Sequence, residues 1–253
     1  MMSSDPSWPR RLWAVRHGES AGNVAHAHAE AHKLVEIAIE GRDMDVSLSP
    51  VGERQADALG RWFAALAEDD RPTLILCSTY ARALQTAERV AAALPGVHGP
   101  IRDERLREKE MGTFDRLTHA GITARFPAES ERRTLLGKFY FRPPGGESWC
   151  DVILRLRGLV GDMQLRHRRE RVLVVAHQVT VLCLRYLIEE MDEATILAID
   201  AEKDVANCSV TWYAPATRED GREALELCEY NFVAPLEEAG APVTTAPDAK
   251  ATR

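Results

Sequence analysis

The sequence predicts an α/β protein, a three-layer α/β/α sandwich with a mostly parallel central sheet. Short apolar runs read as buried strands at Leu12 to Val15, Leu74 to Cys77, Val172 to Ala176 and Val210 to Tyr213, with a weaker one near Ala224 to Cys228. Stretches of helical periodicity separate the first three, and strands that alternate with helices imply parallel crossovers. At 253 residues the chain lies at the upper edge of one ordinary domain and is ample to bury a core.

Taken in order, the first strand runs directly into Arg16-His17-Gly18-Glu19-Ser20. The histidine-containing segment Val24 to Met44 has no strand pattern and ends in the polar Gly41-Arg42-Asp43-Met44; it reads as a helix or loop over a pocket mouth. From Val51 to Leu66, Ala56, Leu59, Phe63 and Leu66 recur at three to four positions, and Ser49-Pro50 supplies an N-cap followed by proline in the first turn. Ala83 to Leu94 is an alanine-rich helix ending at Pro95-Gly96, and a further helix runs from Trp149 to about His167. Val179 to Glu190 reads as a helix buried along Val181, Leu182, Leu184 and Leu187. One domain is expected over 1–233, and 234–253, rich in Ala, Pro, Thr and Glu, is expected to be a disordered tail because it lacks bulky apolar residues. There is no internal repeat.

The net charge of -7 argues against a nonspecific nucleic-acid binder, which would need clustered Lys and Arg. The basic runs at Arg132-Arg133 and Arg166 to Arg171 are short and interrupted. The five cysteines, Cys77, Cys150, Cys183, Cys208 and Cys228, are odd in number, widely spaced and mostly in apolar contexts, which fits reduced core residues and a cytoplasmic setting. Met1 to Arg11 lacks an apolar signal core, and no apolar run approaches a membrane span, so no membrane partner is expected.

In open α/β sheets, ligands bind beyond the carboxyl ends of the strands. Here those ends carry Arg16-His17, Ser78 and His177, so distant segments should converge on one pocket. A histidine fixed at a strand end can act as a nucleophile, an adjacent arginine can neutralise phosphate oxygens, and Gly18 would let an anion approach the backbone. Arg82, in Ser78-Thr79-Tyr80-Ala81-Arg82-Ala83-Leu84, sits in a first helical turn where N–H groups and the helix dipole favour an anion, whereas Arg89 reads as a solvated helix arginine. In Leu106-Arg107-Glu108-Lys109-Glu110-Met111-Gly112 a carboxyl group facing phosphate would have a raised pKa, suiting it to protonate a leaving oxygen. Glu108 is the candidate; Glu104 reads as a surface acid, and Glu110 stays open as a competitor.

The run Arg16-His17-Gly18-Glu19-Ser20 with Asn23, the Arg82 segment, Leu106 to Gly112, and Val172-Leu173-Val174-Val175-Ala176-His177 resemble, in order, the motifs of the histidine phosphatase superfamily, also called the phosphoglycerate mutase-like family. Asp45-x-x-Leu48-Ser49-x-x-Gly52-x-x-Gln55 lies between the first two, and the resemblance spans Leu12 to about Tyr213. It implies a phosphoglycerate mutase-like fold and a phosphohistidine formed on His17, with Arg16, Arg82 and His177 on the phosphoryl oxygens and Glu108 as the acid. Ser20 and Asn23 would be secondary ligands. The positive charge comes from side chains, so no cofactor or metal is needed. Many members are dimers, which makes a homodimer an assembly to test.

The family contains both phosphatases and mutases, which differ in whether water reaches the phosphohistidine. Arg132-Arg133 superficially resembles the basic insertion of the cofactor-dependent phosphoglycerate mutases, but the expected surroundings are missing. Lys138-Phe139-Tyr140-Phe141-Arg142-Pro143-Pro144-Gly145-Gly146-Glu147-Ser148-Trp149 and His177-Gln178 are more similar to the fructose-2,6-bisphosphatase branch and its bacterial phosphatase relatives. That similarity implies substrate contacts for Lys138 and Gln178, and for Trp149 where the branch has tyrosine; Leu182 replaces a phosphate-binding arginine of the branch. The expected activity is hydrolysis of a small phosphorylated metabolite, with a sugar phosphate as one candidate and phosphoglycerate mutase as the alternative. The triplet His26-x-His28-x-x-x-His32 reads as lid or solvated histidines rather than a zinc site, since three histidines at this spacing are a weak ligand signature.

Overall fold

Strand β1 (Arg11–Arg16) lies at the heart of a six-stranded sheet, and its alternating side chains feed two cores. Leu12 and Ala14 face one layer; Trp13 and Val15 face the other. The computed structural model describes residues 7–245. The strands are β1, β2 (Leu74–Cys77), β3 (His98–Arg102), β4 (Arg171–Ala176), β5 (Val210–Thr217) and β6 (Glu223–Phe232), in the spatial order β3-β2-β4-β1-β5-β6. Pairings among β3, β2, β4 and β1 are parallel, and β5 and β6 continue the sheet antiparallel. The expected mostly parallel α/β sheet is therefore present, with an antiparallel hairpin at one side.

The helices are α1 (Ala21–Ala31), α2 (Pro50–Ala65), α3 (Ala81–Ala92), α4 (His119–Arg125), α5 (Pro127–Tyr140), α6 (Trp149–Arg166), α7 (Gln178–Ile188), α8 (Glu193–Glu202) and α9 (Ala234–Glu238). On one face of the sheet, α6 and α7 bury Leu156, Leu159, Val181 and Leu184 against Leu12, Val172 and Val174. On the other, α2 and α3 bury Leu59, Phe63, Ala87 and Val90 against Trp13, Ile75 and Val175. Helix α2 starts as its sequence predicts, with Ser49 accepting from the Gly52 N–H and Pro50 in the first turn.

Several elements lacked a legible signal. Strand β3, His98-Gly99-Pro100-Ile101-Arg102, has no apolar alternation because it is an exposed edge, the one place in a sheet that tolerates proline. Helices α5 and α8 are short of apolar periodicity, burying Phe139 alone and Ile196 with Asp200 respectively. The tail is a correction. Residues from 234 begin as α9, with Leu236 fully buried in the α2–α3 core, and Thr244 accepts the Asn207 N–H through its carbonyl at 2.9 Å. One leucine and backbone pairing hold this stretch where composition argued for disorder; the remainder of the expected tail, 246–253, lies outside the described residues.

Candidate active site

At the carboxyl end of β1 the backbone leaves the sheet, and His17 N–H donates to the Ala176 carbonyl at 2.9 Å, tying the His17 loop to the end of β4. Packing requires Gly18 here. A Cβ on it would lie 2.5 Å from the Gly52 carbonyl oxygen, and one on Gly52 would lie 1.9 Å from the Glu19 oxygen. The loop is thus clamped onto the first turn of α2, helped by Ser49 Oγ donating to Glu19 Oε1 (2.6 Å) and Glu19 N–H donating to Gln55 Oε1 (2.8 Å).

His17 is fully buried and its tautomer is fixed. Nδ1 lies 2.7 Å from the Gly18 carbonyl, which can only accept, so Nδ1 carries the proton. Nε2 therefore presents a lone pair, and Arg82 Nε donates to it at 3.2 Å. The His177 ring stands edge-on to that of His17 with centroids 5.1 Å apart, and its Nε2 is 2.8 Å from Ser78 Oγ. Glu108 Oε2 lies 4.0 Å from His177 Nδ1, and Oε1 accepts the Lys109 N–H at 2.7 Å. Arg16 is anchored by Nη1 donating to the Val205 carbonyl at 2.7 Å. Arg82 and His177 sit where α3 and α7 begin, so two helix N-termini face the same space. Of the expected residues, His17, Arg82, Glu108 and His177 are brought together, and Arg16 directly precedes His17 with its side chain anchored at Val205.

Glu110 is placed differently. Its Oε1 accepts from the Tyr80 hydroxyl at 3.0 Å at the rim, and its side chain is 46% exposed. The segment Arg107 to Glu110 is braced from behind by Glu147, which accepts from Arg107 Nη2 (2.8 Å), Arg155 Nε (2.9 Å) and the Glu110 N–H (3.1 Å). Burial pushes the Glu147 carboxyl up, yet the hydrogen bond and charge of Arg155 prevail and hold it below the usual range. Gly112, at φ 54°, lies against this strap, where a Cβ would meet the Pro144 oxygen at 2.2 Å.

The remaining site residues expected from sequence divide by what they touch. Ser20 and Asn23 form the capping box of α1: Ser20 Oγ accepts from Asn23 N–H (3.1 Å) and Asn23 Oδ1 from Ser20 N–H (2.9 Å). Lys138 Nζ pairs with Asp200 and stands 5.4 Å from the Trp149 ring, and Gln178 Nε2 donates to Asp204 Oδ1 at 3.0 Å. Trp149 needs correction. It is fully buried beneath Lys138 and Phe139, so it supports Lys138 and offers no surface to a ligand. The histidine triplet splits: His28 and His32 stack at 4.1 Å on the surface while His26 is buried with Nε2 3.9 Å from Glu30. Among the described residues, no three His, Cys, Asp or Glu side chains are grouped to hold a metal ion.

Sequence reading missed four contributors. Tyr80 packs edge-on to His177 with centroids 5.1 Å apart. Asn207 Nδ2 donates to the His17 carbonyl at 3.0 Å. Asp43 grips Arg82, with Nη1 at 3.2 Å from Oδ1, Nη2 at 3.0 Å from Oδ2, and Nη1 also 2.8 Å from the Asp43 carbonyl. Lys109 is buried, its ammonium 3.6 Å from Met111 Sδ, and burial pushes its pKa down to about 8 against the pull of Glu108. Asp43, Tyr80, Lys109, Glu110 and Arg116 line a cavity of about 310 Å³ beside the histidines.

The profile of the histidine phosphatase superfamily (branch 1) matches residues 12–228. The chain belongs to this superfamily. Its members here include a probable fructose-2,6-bisphosphatase of Schizosaccharomyces pombe, 31% identical over 175 residues that cover 69% of the chain and 37% of that protein. A fructose-2,6-bisphosphatase of Saccharomyces cerevisiae is 31% identical over 176 residues, covering 70% of the chain and 33% of that protein. The chain thus spans about a third of the length of these curated relatives. Among solved structures, a mycobacterial glucosyl-3-phosphoglycerate phosphatase in complex with VO3 superposes with TM-score 0.68 at 26% identity, covering 88% of the chain and 99% of its own. The matched residues 12–228 include Arg16 at the end of β1, His17 directly after it, Arg82 at the start of α3, Glu108, and His177 after β4. No helix of the described residues is long and apolar enough to cross a membrane.

Proposed function

We propose that the protein is a metal-independent phosphomonoesterase acting on a small phosphorylated metabolite of the sugar-phosphate class, through a phosphohistidine on His17. The observation that carries this reading is the fixed lone pair of His17 Nε2, aimed at Arg82 in a pocket entered by two helix N-termini. The names of the similar proteins, fructose-2,6-bisphosphatase and glucosyl-3-phosphoglycerate phosphatase, support a phosphorylated sugar derivative as substrate. Five free cysteines, three of them buried, support a reducing, cytoplasmic setting.

The reaction has two in-line steps. In the first, Nε2 forms a bond to phosphorus as the ester P–O bond breaks. Arg16, Arg82 and His177 hold the equatorial oxygens, where guanidinium and imidazole donors match the charge of the transition state. Glu108 gives its proton to the departing alcohol oxygen. In the second step water attacks phosphorus, Glu108 takes the proton from that water, and the N–P bond breaks to release phosphate. Ser20 and Asn23 hold the loop that carries the nucleophile, and Lys138 and Gln178 bind the remainder of the substrate once released from Asp200 and Asp204.

The experiment is a substrate panel followed by phosphate release from 4-nitrophenyl phosphate, sugar mono- and bisphosphates and phosphoglycerates, with 3- to 2-phosphoglycerate interconversion alongside. Release without interconversion is expected; rapid interconversion with little release would make the protein a mutase. An acid-labile phosphoenzyme should be trapped from wild type and absent in His17→Ala, and an active His17→Ala enzyme would overturn the covalent mechanism. Turnover lost in Glu110→Gln but kept in Glu108→Gln would move the acid to Glu110.

A further inference from the structure

We infer that Asp43 is a built-in occupant of the phosphate site, whose carboxylate holds Arg82 until a phosphoryl group of higher charge displaces it. The inference rests on the reading of Arg82 as a phosphate ligand. Arg82 is 2% exposed and engages two partners at once: Nε reaches His17 Nε2, and both Nη atoms are taken by Asp43. This two-point pairing of a planar carboxylate with a guanidinium is the geometry by which arginine also binds phosphate oxygens.

A phosphoryl group bonded to His17 Nε2 would sit against this same guanidinium. Its charge would then face the Asp43 carboxylate across one cation, and the two anions cannot share Arg82 without strong repulsion. Asp43 is able to leave. Its side chain is 36% exposed, and it belongs to a single helical turn, Asp43–Asp45, preceded by irregular chain and pinned outwardly by the exposed Arg42–Asp45 pair. Asp43 also lines the cavity beside the site, so its departure enlarges the opening through which the rest of the substrate enters. Competition of this kind sets a threshold: a dianionic monoester phosphate displaces the carboxylate more readily than a monoanionic sulfate ester or phosphodiester.

The test is the binding of inorganic phosphate and of orthovanadate by isothermal titration calorimetry to wild type, Asp43→Asn and Asp43→Gly, a readout that needs no turnover. Removing the competing charge should tighten both anions by about tenfold. Asparagine keeps the shape without the charge, and glycine removes both, so agreement between them assigns the effect to the carboxylate. Unchanged or weaker phosphate binding in both variants would overturn the inference and make Asp43 a positioning residue for Arg82. If wild type binds phosphate but hydrolyses none of the panel, the proposed activity fails while the Asp43 result still stands.

Discussion

Lys109 shows how much a single residue of this site is held against its own solvation. An ammonium buried to 7% exposure beside a thioether loses most of its hydration, and burial lowers its pKa to about 8 despite Glu108. A folded-state value below the unfolded one means that the unfolded chain binds the extra proton between about 8 and 10.5, so stability rises with pH through that window. At pH 7 the charged form costs about 3 kcal/mol. Lys109→Met should therefore raise the melting temperature at pH 7, with the gain shrinking as pH passes from 8 towards 10.5. A variant that melts lower at every pH would show that Lys109 is satisfied by Glu108. The same cation adds positive charge beside the proposed phosphate site, so catalysis is expected to fall in Lys109→Met even as stability increases.

At the scale of elements, the site depends on contacts between loops and helix starts more than on the helices themselves. The β1 loop touches α2 backbone to backbone at Gly18 and Gly52, where no side chain fits. Gly52→Ala places a methyl group 1.9 Å from the Glu19 oxygen and must push the loop carrying His17 away from α2. We expect a loss of about 2 kcal/mol or more in stability by urea unfolding, with a larger proportional fall in kcat than in thermal midpoint. Gly161→Ala is the control. It lies in α6 with nothing within 4 Å of the added carbon, and an open helical glycine replaced by alanine should be neutral or stabilising by up to about 1 kcal/mol.

For the whole molecule, the chain beyond β6 reaches back to His17. Leu236 fills the α2–α3 core, Gln55 Nε2 donates to the Pro242 carbonyl (2.8 Å), and Thr244 Oγ1 donates to Asn207 Oδ1 (3.0 Å). Asn207 in turn donates to the His17 carbonyl. Leu236→Ala should cost about 2–4 kcal/mol as a core truncation. Truncation after Val233 removes the Thr244 contact as well, and kcat should drop together with the melting temperature. Full activity in the truncated protein would show that Asn207 holds His17 unaided.

The sequence by itself determined the parts whose signal is local. Apolar runs placed β1, β2 and β4 because a strand buried on both faces must be apolar throughout. Their C-terminal residues then named Arg16, His17, Ser78 and His177, since parallel topology forces those ends together. Capping at Ser49 was legible for the same local reason. Only the tertiary structure decided the rest. Strand β3 is an edge that needs no apolar pattern, α9 is held by one leucine and distant backbone partners, and Trp149 is buried beneath Lys138 rather than exposed to substrate. The grip of Asp43 on Arg82 joins residues 39 apart in sequence, and the bond from Asn207 to His17 spans 190. Such contacts depend on where two chain segments meet in space, and periodicity and propensity describe only what each segment does along itself.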